Sequence, residues 1–426
     1  MTCFSGEKCS MTERRLSVAY VLRSVPPYVL RELEELAKTE TCSPLCVTPS
    51  DCKGSNWWQS ITGQPRLDRE PLSLAFYGLL TCGVMELLRR ALPVLIRIGL
   101  RHPLRLSSSL RRALEEGCFR HLCAGAMIAD RLREEKVDLL HVHFAKQTAH
   151  VTMWAAALLN LPLTVTTHAR DIFVPRNEQR LLRVLEAADS IATISEYNAA
   201  YLEEKLGRSV RNKTRVIRLG VNPSELPARE APGEGEVCIA SGLAEKKGVH
   251  VLLEAARLLR IRGRRISCTV VGSDPDDSRL ARYRKALEDS ELSAMVSFPG
   301  ALPHEKTMDL LTSASLCVMP SVKARDGDMD GIPVCLMEAA AMGVPIVSTR
   351  LSGIPELVVH GETGLLAEPG DPESLADSLQ WAADHPVDME RMAARGRDRA
   401  ARMFDSAASA RAVLSMMEEV AGRRLR

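Results

Sequence analysis

Along most of this chain, short apolar runs alternate with longer segments whose apolar residues recur at helical spacing. Residues 16–22 (LSVAYVL) read as a first buried strand, and 28–38 (YVLRELEELAK) as the helix after it. The stretch 41–70 scatters Pro, Gly, Ser and Cys without a period and is predicted to be irregular. Past residue 136 the rhythm is regular. Strands are predicted in VDLLHVHF, LPLTVTTHA and DSIATIS, with helices in TAHVTMWAAALLN, EQRLLRVLEAAD and EYNAAYLEEKLG, the last ending at Gly207. Such alternation predicts βα units around a parallel sheet.

The segment 222–236 (NPSELPAREAPGEGE) has three prolines and no apolar period, which marks it as a linker. The rhythm then restarts with VCIAS and a helix over 247–262 stopped by Gly263. RISCTVVG, a helix near 278–290, MVSFPG, TMDLLTSAS, LCVMPS, a helix over 335–342 and PIVST complete it. Two α/β domains of similar size are expected to face each other across a cleft. Ligands in such sheets bind beyond the carboxyl ends of the strands.

Composition narrows the function. A length of 426 residues suits two domains, and 46% hydrophobic with 26% charged residues is ordinary for a folded enzyme. A formal net charge of +2 and 4% aromatic residues argue against a dedicated nucleic-acid binder. The near-neutral total hides an asymmetry: residues 1–225 carry +7 and residues 226–426 carry −5. Twelve cysteines show neither CxxC nor zinc-finger spacing, and the first residues lack the apolar core of a secretory signal. Free thiols in a cytoplasmic protein are expected.

The block 87–114 (LLRRALPVLIRIGLRHPLRLSSSLRRAL) holds seven arginines and no acidic residue. Apolar side chains interleaved with arginine are the pattern of a helix lying on an anionic membrane surface. A solvated helix face or a site for an acidic protein gives the same pattern. A peripheral position on the inner face of the cell membrane is the expectation carried forward.

Three loops in the second half follow strands and open helices: GLAEKKGVH, VKARDGDMDGIPV and RLSGIPELV. Free backbone N–H groups at such helix starts, with Lys247 beside one of them, suit a diphosphate. In the acidic loop, Asp326, Asp328, Asp330 and Gly331 open like a calcium loop, but its twelfth position is Met337 rather than Glu. A DxD pair for a divalent metal, a solvated acidic loop, and Asp330 with Glu338 as a polyol-binding pair are the other readings. His141 and His143 form an HxH on a buried strand, a further metal-ligand pattern.

On these motifs, from about residue 137 to 380, the chain resembles the family 4 retaining glycosyltransferases of GT-B fold, in their exopolysaccharide and lipopolysaccharide branch. The most specific stretch is DGDMDGIPVCLMEAAAMGVPIVSTRLSGIPELVVHGETGLLAEPGDPESLADSL. HVHF, TTHARDIF, ADSIATIS, LGVN, KKG and MPSV support it in order. The resemblance implies two Rossmann-like domains. The first, 1–225, is on the acceptor side, and the second, 226–405, binds the donor. A C-terminal helix, 406–426, is expected to pack back on the first.

It also implies site roles. Glu338 would hold the ribose of a nucleotide-sugar donor, Asp330 the hydroxyls of its sugar, and Lys247 its diphosphate. The backbone at Gly331, Ile332, Pro333 and Gly353, with Ser321 in MPSV, would line the donor site. His168 would reach the reacting sugar from the first domain. The implied reaction needs no cofactor and no metal, and its acceptor is a glycan or a lipid-linked sugar. Two positions depart from the family pattern. Gly242 stands where an arginine partner of Lys247 is usual, and Asp330 where glutamate is usual. The first of these leaves open a degenerate GT-B protein that binds nucleotide or a partner without transfer.

Overall fold

The computed structural model describes residues 15–23, 25–49, 71–229, 236–239, 243–273, 278–289 and 292–424. The first sheet contains β1 (Leu16–Val21), β2 (Cys42–Pro49), β3 (Leu72–Leu74), β4 (Leu139–His143), β5 (Leu163–Thr167), β6 (Ser190–Thr193) and β7 (Thr214–Val216). Its order is β3-β2-β1-β4-β5-β6-β7, with every neighbouring pair parallel. The second contains β8 (Glu236–Ile239), β9 (Cys268–Val271), β10 (Val296–Gly300), β11 (Leu316–Val318), β12 (Ile346–Thr349) and β13 (Leu365–Ala367). Its order is β10-β9-β8-β11-β12-β13, again all parallel.

Helices pack on both faces of each sheet, so β4, β5, β6, β11, β12 and β13 are buried along their whole length, whereas the edge strand β10 alternates buried and exposed positions. In the first sheet, Val18, Tyr20 and Leu139 pack with Val29, Leu33 and Leu36 of helix Pro27–Ala37 and with Val413 and Met417 of helix Ser406–Arg424. The opposite face packs Ala19, Leu140 and Val165 with Leu122, Val151 and Trp154. The chain passes between the two sheets twice, at Val221 and at Phe404–Ser406. There Val221 N–H donates to the Phe404 carbonyl at 2.8 Å and Ser406 N–H to the Val221 carbonyl at 3.1 Å. A Cβ on Gly220 would lie 2.3 Å from Ser406 Cα, so only glycine permits this crossing.

Two readings are corrected. The stretch 41–70 is not irregular at its start, because 42–49 form β2 between β1 and β3. Its apolar run is only Leu45, Cys46 and Val47, all buried, and the pairing with β1 makes it a strand rather than its own composition. The helix expected after Gly353 is a single 3₁₀ turn, Ile354–Glu356, too short to build an appreciable dipole. Of the predicted linker, residues 230–235 lie outside the described residues, as does Gly242.

The arginine block forms two helices, Val84–Arg101 and Pro103–Glu115, broken where Pro103 follows His102. The first buries Leu87, Ala91, Val94, Leu95 and Ile98. It leaves Met85, Leu88, Leu92, Ile96 and Leu100 exposed, a second apolar stripe at helical spacing. Among the described residues, no helix is long and apolar enough to cross a membrane.

Candidate functional site

In each sheet the connections diverge at one point, between β1 and β4 in the first and between β8 and β11 in the second. A crevice forms at the carboxyl ends of strands at such a point. In the second domain this places Lys247 and Ser321 side by side. Gly248 follows Lys247 with φ +67°, and a Cβ there would lie 1.7 Å from the Pro320 carbonyl oxygen. The glycine therefore lets the loop after β8 press against the exit of β11, where Val322 N–H donates to the Lys246 carbonyl at 2.9 Å.

Lys247 is buried, and its Nζ donates to Asp330 Oδ2 at 2.7 Å. Lys246 Nζ lies 3.0 Å from Asp330 Oδ1 and 3.3 Å from Asp328 Oδ2. Burial by itself would raise the Asp330 carboxyl, but the two lysines outweigh it and hold its pKa below the usual value. Asp328 is also reached from the first domain, by Arg170 Nη1 at 2.8 Å. Asp326, expected beside these carboxylates, accepts the Asp328 N–H at 3.0 Å and lies 3.8 Å from Arg170 Nη2.

Glu338 sits differently. It lies on helix Val334–Met342, entered through Pro333, and is buried among Cys335, Leu336 and Ala339. Burial raises its pKa to about 7, only partly opposed by Arg31. Its ion-pair contacts are long, 3.9 Å to Arg31 Nη2 and 3.9 Å to His304 Nε2. Of the acidic pair singled out in the sequence, one carboxylate is held between two lysines and the other is poised to accept new donors.

His168 follows β5 and is buried in the first domain. Its backbone N–H donates to Asp171 Oδ1 at 3.1 Å, and Asn198 donates its side-chain amide to the His168 carbonyl. The ring Nε2 lies 3.2 Å from His143 Nδ1, and His143 Nε2 lies 3.1 Å from Glu32 Oε1. His168 Nδ1 has no hydrogen-bond partner among the described residues. Burial, His143 and Lys146 hold the His168 pKa well below its ordinary value, so the ring is neutral. His141 meets Thr164 Oγ1 at 2.8 Å and Thr166 Oγ1 at 3.2 Å. All four ring nitrogens of the HxH pair thus have hydrogen-bond partners, although Glu32, His141 and His143 do cluster.

The two crevices face each other. A Cβ on Gly331 would lie 2.6 Å from Ile194 Cδ1, and one on Gly353 would lie 2.9 Å from Ser195 Cβ. Ile332 is buried at this contact, beside Gly353. Ser195 caps helix Glu196–Leu206, and Tyr197 N–H donates across to Glu356 Oε1 at 3.1 Å. Ser321 is fully buried, its hydroxyl without a partner among the described residues, while its carbonyl accepts from Thr349 Oγ1 at 2.6 Å. Sequence reasoning did not single out Glu32, Arg31, Lys246 or Arg170. Only Lys246 carried a local signal, the paired lysines before Gly248.

Residues 227–399 match the family model described as glycosyl transferases group 1, and residues 89–225 match glycosyltransferase family 4. The chain is 36% identical over 213 residues to a putative colanic acid biosynthesis glycosyltransferase, WcaL, of Salmonella typhimurium, covering 49% of this chain and 52% of that one. It is 34% identical over 212 residues to the amylovoran biosynthesis glycosyltransferase AmsK of Erwinia amylovora, covering 49% and 51%. The match thus spans about half the length of these curated relatives. Sucrose-phosphate synthase from Thermosynechococcus elongatus superposes with a TM-score of 0.71 at 19% identity, over 95% of this chain and 99% of that one. Anabaena HepE, solved in complex with UDP-glucose, gives 0.69 at 17%, over 95% and 100%. These last likenesses establish the GT-B fold.

Proposed function

Because the chain belongs to the family 4 glycosyltransferases of GT-B fold, we propose that it moves a sugar from a nucleotide-sugar donor to a glycan or lipid-linked acceptor in surface polysaccharide assembly, with retention at the anomeric carbon. The observation that carries this reading is the Arg170–Asp328 contact at 2.8 Å. Two residues from each partner stand His168 and Asp330, so the contact brings the loops of the first-domain histidine and the sugar-binding carboxylate together across the cleft.

In this reading Glu338 accepts the ribose hydroxyls and Asp330 accepts hydroxyls of the transferred sugar. Lys247, already 2.7 Å from Asp330, lies between that sugar and the diphosphate. As the bond from the anomeric carbon to the leaving phosphate oxygen breaks, charge grows on the diphosphate and Lys247 stabilises it. The acceptor oxygen bonds to the same face of that carbon, and its proton passes to the leaving phosphate oxygen. Nδ1 of His168 accepts a hydrogen bond from the reacting sugar. The two-domain cleft aligns both substrates. No step requires a resident metal or cofactor. The donor of the structural neighbour HepE, UDP-glucose, is one candidate donor here.

The exposed apolar stripe on helix Val84–Arg101, with Arg89, Arg97 and Arg101 around it, supports a peripheral position on the anionic inner face of the cell membrane. The degenerate alternative is favoured only by Gly242, which removes a cation that would assist Lys247. Incubation with a panel of UDP-, GDP- and ADP-sugars separates the two. Nucleotide release that disappears in Glu338→Ala and Lys247→Ala supports transfer. Nucleotide binding without turnover, with lipid-linked acceptors supplied, supports the degenerate protein.

A further inference from the structure

Helices Phe119–Leu132 and Gln147–Leu159 of the first domain press together at Gly125. A Cβ there would lie 2.7 Å from Trp154 Cβ and 2.9 Å from the Val151 carbonyl oxygen, so only glycine permits the approach. One turn before Gly125 stands His121, and one turn before Trp154 stands His150. The crossing therefore brings their rings together, with centroids 4.5 Å apart. Cys118 is the N-cap of the first helix, and the His121 N–H donates to its carbonyl at 2.9 Å. Its side chain leaves the backbone one turn from His121, on the same face. Cys118 Sγ and one ring nitrogen from each histidine all lie within 4.8 Å of one another. Tetrahedral ligands of a zinc ion stand roughly 3.3–3.6 Å apart, so small side-chain rotations close the set.

The hydrogen bonding of the cluster is incomplete. His150 is 1% exposed, and neither of its ring nitrogens has a hydrogen-bond partner among the described residues. His121, 7% exposed, leaves Nε2 in the same state. Buried polar groups without partners are costly unless something binds them. The HxH pair at the cleft differs, because all four of its ring nitrogens have partners. Burial, then Arg180, lowers the His121 pKa to about 4, and burial, His121 and nearby arginines lower that of His150 to about 3. Both rings are neutral, the form that offers a metal its lone pair. Cys118 is a buried free thiol whose Sγ donates to the Glu116 carbonyl at 3.3 Å. Arg183 Nη1, 3.9 Å from that sulfur, favours its thiolate. Arg183 and Arg112 are themselves paired with Glu116, at 3.5 and 2.9 Å, which offsets their repulsion of a bound cation. Arg180 is exposed, and solvent screens it.

We propose that Cys118, His121 and His150 bind a zinc ion that fastens helix Phe119–Leu132 to helix Gln147–Leu159. One thiolate and two imidazoles, with a water in the fourth position, make a zinc ligand set. All three ligands are buried, so the ion enters as the chain folds and acts on stability. Helix Gln147–Leu159 follows β4 and Lys146, so the ion braces the strand end that carries His143 to the cleft. It takes no part in sugar transfer, and the proposal does not rest on the glycosyltransferase reading.

The test is metal analysis of the purified full chain, then refolding with Zn²⁺ or Co²⁺ after chelation. One equivalent of zinc should bind. Cobalt should give a thiolate-to-metal charge-transfer band together with the intense visible absorption of a tetrahedral site. Cys118→Ser should abolish that band and weaken zinc binding at least about a hundredfold, the upper end of what loss of an outer contact to a ligand costs. Zinc should raise the melting temperature of the parent but not that of Cys118→Ser or His150→Gln. Cobalt that binds the parent without the thiolate band, or no cation binding at all, overturns the proposal without recourse to a variant. Zinc binding that survives in both variants overturns it too. So does zinc binding lost only in Glu32→Gln, which assigns the ion to Glu32, His141 and His143 instead.

Discussion

His143 Nδ1 lies 3.2 Å from His168 Nε2, and the far side of the same imidazole meets Glu32 at 3.1 Å. A carboxylate only accepts, so His143 carries a proton on Nε2, and its neutral form presents a bare Nδ1. His168 then donates from Nε2, and its own Nδ1 is left as an acceptor. Tyr20, donating to the same Glu32 oxygen at 3.0 Å, fixes the carboxylate in turn. The row of hydrogen bonds makes Glu32 a positioning residue for His168.

Replacing Glu32 by Gln keeps the shape and removes the charge that fixes these tautomers. We expect kcat to fall about ten- to a hundredfold, the range for a mispositioned polar group, with nucleotide Kd unchanged. Imidazole ¹⁵N chemical shifts should show a mixed tautomer at His168 in the variant and a single one in the parent. A fall in kcat with the parent tautomer retained would reduce Glu32 to a packing role.

Lys247 and Asp330 are expected to fail differently. Lys247→Ala should lower kcat by roughly 10- to 150-fold through loss of a charge-assisted phosphate contact, with a smaller effect on donor KM. Asp330→Glu carries the carboxylate about 1.5 Å further. Its effect should appear as changed preference among donor sugars in competition assays, not as loss of nucleotide binding.

Glu338 sets a pH dependence. Its pKa in the free protein is raised to about 7 by burial, and ribose hydroxyls bind best to the ionised form. Nucleotide affinity should therefore rise as pH increases up to about 7 and level off above it. The same shift acts oppositely on stability. Between the ordinary carboxylate range and about pH 7 the folded state retains a proton that the unfolded chain releases, so stability falls as pH rises through that window. Glu338→Gln should flatten both profiles, measured by titration and by thermal melts from pH 5 to 8.5.

Two glycines should separate stability from closure. Gly248→Ala places a Cβ 1.7 Å from the Pro320 oxygen at φ +67°, and a loss of about 3 kcal/mol or more in chemical denaturation is expected. Gly331→Ala meets only the end of the Ile194 side chain, at 2.6 Å. Stability should hardly change while kcat/KM falls, and adding Ile194→Ala should restore it.

The arginine block predicts co-sedimentation with anionic but not neutral vesicles at low salt. Replacing Leu92 and Ile96, both exposed, by Gln should weaken it, as should Gln at Arg97, Arg101 and Arg105. Sedimentation unchanged in both variants would remove the membrane from the proposed function.

The residue order alone determined the βα alternation, because strand and helix periods are local properties of neighbouring side chains. It also singled out Asp330 with Glu338 and the Lys247–Gly248 step, each within a short stretch of sequence. It misread 42–49, whose strand exists through pairing with β1, and the helix after Gly353, which is one 3₁₀ turn. Only the tertiary structure decided that Arg170 would meet Asp328, Arg31 would approach Glu338 and Glu32 would face His143. Those pairs are more than 100 residues apart in sequence, and no local period encodes them. They arise because two sheets, each closed by its own helices, set the carboxyl ends of their strands against a common cleft.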